Sequence, residues 1–136
     1  MARTAIVLQG QPIYSEDRAA NEAITPGHLV AGGTITLTKH ATANGPGRNY
    51  ALERDERGQG ITDAYASGDT VKVGAFAGGQ VVYAWLASGQ SVAIDAYLGS
   101  NGDGTLKAYS SGPYLGRALE AINATAAAAR IRVEVN

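Results

Sequence analysis

Short runs in which apolar and polar residues alternate, most of them bounded by glycine, recur along this chain. Thr34 to Lys39 reads Thr-Ile-Thr-Leu-Thr-Lys, and Thr70 to Phe76, Val81 to Leu86, Ser91 to Leu98 and Ile131 to Val135 follow the same grammar. A period of two with β-branched and aromatic residues is the mark of half-buried strands. These runs and their neighbours predict seven or eight strands. The expected fold is mainly β: a small β-barrel or β-sandwich with an extended N-terminal arm and at most one or two short helices. Residues 1–27 are expected to form the arm and connecting segment, and residues 28–136 a single β domain.

Two segments compete for a helical reading. Ser15 is placed to cap a short helix over Glu16 to Ala23, with Glu16 and Asp17 near its positive end and Pro26-Gly27 to stop it. Leu115, Leu119 and Ile122 fit helical spacing, while Leu115, Arg117 and Leu119 fit alternation; strand is favoured there because strands surround it. Ala124 to Ala129 carries too little side-chain volume to anchor a core and reads as a turn before the last strand.

A three-residue loop at Ala87-Ser88-Gly89, with Gly89 left-handed, would set Leu86 against Gln90 and Ala84 against Val92. One face of that hairpin holds Val82, Ala84, Leu86, Val92 and Ile94; the other holds Val81, Tyr83, Trp85, Ala93 and Asp95, with Tyr97 beyond. Both faces are apolar, and one core covers only one of them. The second face calls for another sheet or a partner.

Composition narrows the function. A chain of 136 residues with no cysteine must be held by packing, without disulfides or thiolate metal sites. Eleven basic and twelve acidic residues argue against nucleic-acid binding and leave self-association unopposed. The opening Met-Ala-Arg-Thr-Ala-Ile-Val-Leu-Gln is too short in its apolar run for a signal-peptide core or a membrane span, so no membrane partner and synthesis in the cytoplasm are expected.

Chemistry is hard to find. His28 and His40 have no cysteine or HExxH spacing to complete a zinc site, and turn or surface positions are expected for both. Ser100 to Thr105 resembles part of a calcium loop, but Ser110 falls where a bidentate Glu is required; a tight turn explains it better. Asp63, Asp69 and Asp95 belong to no legible acid/base pair, and Glu53 to Arg57 reads as a solvated loop or edge. The expectation is no enzyme, no metal and no cofactor.

An ordered string of motifs is more specific than any one of them. Ala23 to Val30 (Ala-Ile-Thr-Pro-Gly-His-Leu-Val), Asn49 to Asp55, Gly60 to Val71, Gly79 to Val92, Ser100 to Leu106, Gly116 to Ala121 and Arg130 to Val135 together resemble the capsid decoration, or cement, proteins of tailed bacteriophages. The similarity spans roughly residues 23 to 136. One departure is Ala93 to Leu98, where a Gly-Asp turn is expected and Asp95-Ala96 stands instead.

The resemblance implies a structural virion protein on the outer surface of the phage head, made in the host cytoplasm. It would bind the major capsid protein and its own copies, commonly as a trimer, and stabilise the shell. Arg3, Ile6, Val7 and Leu8 are the candidate capsid contacts, since the first strand is apolar enough to add to an exposed sheet edge; an ordinary first strand of the domain is the competing reading. Tyr83, Trp85 and Tyr97 are the candidate oligomer interface. The alternative function is a capsid-surface module for host glycans, with Tyr50, Tyr65, Tyr109 or Tyr114 stacking on sugars.

Overall fold

Glycine-bounded alternation becomes strand throughout a computed structural model, which describes residues 5–32 and 36–136. The strands are β1 (Val7–Gln9), β2 (Tyr14–Ala20), β3 (Val30–Gly32), β4 (Thr36–Lys39), β5 (Asn49–Leu52), β6 (Thr70–Ala75), β7 (Val81–Leu86), β8 (Gln90–Val92), β9 (Tyr97–Ser100), β10 (Leu106–Ala108), β11 (Gly116–Ala118), β12 (Ile122–Ala124) and β13 (Ala129–Val135). A single 3-10 turn, Asp55–Arg57, is the helical element among the described residues. The strands outnumber the seven or eight expected because several are only three residues long, too short for alternation to register. Of the predicted run Thr34 to Lys39, Thr34 and Ile35 lie outside the described residues, and the rest forms β4.

The larger sheet runs β1-β7-β10-β9-β11-β13, and β13 pairs with β7 as well. That last pairing closes β7, β10, β9, β11 and β13 into a barrel and leaves β1 as the end strand of the sheet. The ladder between β13 and β7 is the longest in it, from Ala129↔Leu86 to Glu134↔Val81. Its inward side chains, Val82, Ala84, Leu86, Ile131 and Val133, are fully buried with Leu98 and Leu106. Each such Leu, Ile or Val side chain is worth about 1.5–3 kcal/mol relative to exposure, and stability without disulfides rests on this set.

The second sheet runs β3-β4-β2-β6-β5. Its two ends curl toward each other: Leu29 bridges Tyr50, and Gly27 and Ala51 exchange hydrogen bonds with residues across that seam. Inside lies a smaller core of Ile24, Val30, Leu37, Ala51, Tyr65, Val71 and Val73. Phe76 and Tyr50, edge to face with ring centroids 5.7 Å apart, carry this sheet into the barrel's core.

Several expectations are corrected here. The segment from Ser15 is strand, because β2 pairs with β6 from Tyr14↔Ala75 to Ala19↔Thr70, and a full antiparallel ladder outweighs one capping signal. Residues 5–27 are part of the body: β1 pairs with β7, β2 lies between β4 and β6, and Ile6 and Ile24 are fully buried. β7 does not form a hairpin with β8. A tight turn does close at Ala87 to Gln90, with Gly89 left-handed at φ 91°, but β8 leaves to pair with β12, as Val92↔Ile122. Ile94, expected on the inner face, is 61% exposed. The Leu115 to Ile122 segment is strand as favoured, split into β11 and the start of β12.

Candidate interaction surface

Alternation puts Tyr83 and Trp85 on the outer face of β7, opposite Val82, Ala84 and Leu86. Register sets Arg132 beside Tyr83 and Arg130 beside Trp85. The Arg130 guanidinium lies 4.4 Å from the centre of the Trp85 ring and 5.9 Å from that of Tyr83. Trp85 Nε1 donates to the Pro26 carbonyl at 3.0 Å, and Arg130 Nη2 donates to the same carbonyl at 3.0 Å and to that of Ile61. A cation over a half-buried indole is worth about 0.5–2 kcal/mol. The pair therefore clamps the Pro26 and Ile61 loops onto the barrel wall. Burial works against the charge on Arg130, and Tyr83 and Glu53 partly offset it.

His28 closes the same corner. Its ring centre lies 6.0 Å from that of Trp85, and its Nδ1 accepts from the Thr25 backbone N–H at 3.1 Å, which requires the neutral ring. Burial first, then the charges of Lys39 and Arg130, lower its pKa from 6.5 to about 4, against the opposing pull of Asp103 and Glu22.

Tyr97 does not join this patch. It lies on β9, paired with Arg117 of β11, and β9 does not pair with β7. Its ring stacks instead on Tyr114, centroids 4.4 Å apart. Arg117, on the strand beside Tyr97, is held by Asp95 and by Glu134, the latter at 3.1 Å. Asp95 has φ 70°, the left-handed conformation that glycine would take without strain, and this is where the sequence departs from the decoration-protein pattern.

At the N-terminal segment, Arg3 lies outside the described residues. Ile6 is fully buried in the barrel core, so its side chain is no surface contact; this reading is corrected by the apolar volume it fills beside Val82. Val7 and Leu8 are half-buried on the strand that ends the larger sheet. A groove of about 470 Å³ runs along them, walled by Leu52, Glu53, Asp55 and Lys72.

The other candidates have structural roles. His40, expected at a turn or surface, is buried: its Nε2–H donates to the Pro46 carbonyl and its Nδ1 accepts from Ser100 Oγ, both at 2.8 Å. Arg54 is also buried within the predicted solvated run, donating to Asp17 at 2.9 Å and to the Thr70 carbonyl at 3.0 Å. Asp63, Asp69 and Asp103 each accept a backbone N–H inside their own turns. No cluster of three or more metal-ligating side chains occurs among the described residues. Of the four tyrosines offered as sugar platforms, Tyr50 and Tyr65 are buried, while Tyr109 and Tyr114 are exposed.

No protein-family model matches the chain. No curated protein matches it. Among solved structures it is similar to the head fiber gp8.5 N base of bacteriophage phi29, with a TM-score of 0.62 at 15% identity over 90% of this chain and 93% of that one. That likeness establishes a shared fold.

Proposed function

We propose that this protein is a structural component of a bacteriophage head, binding the outer surface of the shell and its own copies and catalysing no reaction. The observation that carries the reading is the fold shared with a phage head fiber base over nine-tenths of the chain. The ordered motifs from Ala23 to Val135 that resemble capsid decoration proteins support it independently. A protein of this kind needs no reactive centre; it needs modest contacts repeated by symmetry, which add through avidity.

The groove beside Val7 and Leu8 suits an extended segment of the major capsid protein, because β1 ends its sheet and an end strand is where another chain adds. The exposed parts of Tyr83 and Trp85 are the self-contact, in a trimer. Sedimentation of shells prepared without this protein, after mixing with the purified chain, tests the reading. Saturable co-sedimentation is expected, weakened at least tenfold by Leu8→Asp. A chain that stays in the supernatant at every concentration contradicts it.

A further inference from the structure

Three tyrosines stand exposed on the barrel wall away from the Trp85 clamp: Tyr97 at 51%, Tyr109 at 39% and Tyr114 at 37%. Tyr97 and Tyr114 are stacked with 24° between their planes, and Tyr109 meets Tyr114 edge-on at 5.3 Å. Tyr97 starts β9, and the loop that carries Tyr109 and Tyr114 is tied down on both sides. Tyr109 hydroxyl donates to the Gly112 carbonyl at 2.7 Å, Ser110 hydroxyl donates to Asn44 Oδ1 at 3.2 Å, and the Asn136 amide donates to the Tyr114 carbonyl at 3.4 Å. The rings are thus fixed before anything binds, which lowers the ordering cost of a complex.

Two clefts that share Asn136 reach this cluster. One, of about 490 Å³, is lined by Pro113, Tyr114, Arg48, Asn49 and Asn136 among others; a smaller one of about 180 Å³ is lined by Tyr97, Arg117, Glu134 and Asn136. The centre of a protein–protein interface is depleted of charge, whereas here Arg48, Asn49 and Asn136 line a cleft with Tyr114, and Arg117, Glu134 and Asn136 line one with Tyr97. An aromatic platform beside amide and guanidinium groups matches a ligand with an apolar C–H face and a rim of hydroxyls. We infer that these two clefts together form a saccharide-binding site, with Tyr114 and Tyr97 as the stacking platform and Asn49, Asn136 and Arg48 bonding the hydroxyls of a pyranose.

A glycan array followed by calorimetric titration with cellotriose and tri-N-acetylchitotriose tests it. Saturable binding of a pyranose oligosaccharide is expected, with Tyr114→Ala and Tyr97→Ala each weakening it tenfold or more while circular dichroism stays that of the parent. If a tyrosine variant unfolds, Arg48→Ala at its exposed position decides: a fall in affinity supports the site and an unchanged affinity overturns it. Absence of saturable binding on the array and in both titrations overturns it too. So does a result in which the tyrosine variants bind no sugar differently from the parent but turn an oligomer into monomers in sedimentation, which would make the cluster a self-interface.

Discussion

Replacing His28 with Asn should flatten the protein's response to acid. In the folded chain the imidazole is half-buried against Trp85 and accepts a hydrogen bond at Nδ1 from Thr25, and its pKa falls from 6.5 to about 4. Above pH 6.5 both folded and unfolded chains hold the ring neutral, and it contributes no pH dependence. As pH falls below 6.5 the unfolded chain takes up a proton that the folded chain refuses, so stability declines, and the decline ends once the folded ring also protonates near pH 4. A shift of that size corresponds to about 3 kcal/mol in full, of which about 2 kcal/mol is lost between pH 7 and pH 5. Asn keeps an acceptor near the position of Nδ1 and cannot titrate. Urea unfolding at both pH values, for the parent and for His28→Asn, measures the difference in slope. The parent should lose about 2 kcal/mol more than the variant over that interval. Equal losses in the two proteins would refute the account of His28 as a half-buried neutral base.

Two further outcomes follow from the packing. Arg130→Lys should lower stability by about 1–2 kcal/mol in urea, since a single ammonium cannot span two loop carbonyls and lie flat on an indole as a guanidinium does; a variant as stable as the parent would show that the clamp carries no load. Two glycines separate conformational strain from steric crowding. Gly89→Ala meets nothing within 4 Å but keeps φ 91°, and should cost about 1 kcal/mol. Gly116→Ala would set its methyl 2.5 Å from Val133 Cγ1 and 2.6 Å from the Glu134 carbonyl, forcing β11 off β13 at a cost of about 2–3 kcal/mol. Thermal or urea unfolding that ranks them the other way would contradict the close approach of those strands.

The strands and the two faces of β7 were legible because side-chain direction depends only on local alternation. Val82, Ala84 and Leu86 turn inward and Tyr83 and Trp85 outward, whichever strand lies beside them. Pairing was not legible in the same way. The turn at Gly89 invites a hairpin, yet β13, more than forty residues later, takes the place beside β7. The buried polar groups depend on such distant partners: His40 on Ser100, sixty residues away, and Arg130 on Pro26, 104 residues away. Neither partnership leaves a local mark. Glu16 and Asp17 after Ser15 carry a true capping pattern, but helix propensity is a weak prior against a six-residue ladder. The tyrosine cluster brings together positions 97, 109 and 114, which fall on a strand end and the loop between β10 and β11, so no periodicity announces it.

The proposed place of this protein on a phage head is tested most directly by electron cryomicroscopy of the intact particle whose genome encodes it. The account predicts density matching the closed barrel and its companion sheet on the outside of the shell, in three-fold clusters, with Val7 and Leu8 against the major capsid protein. A particle of known composition that contains the chain only inside the head, or lacks it altogether, would contradict it.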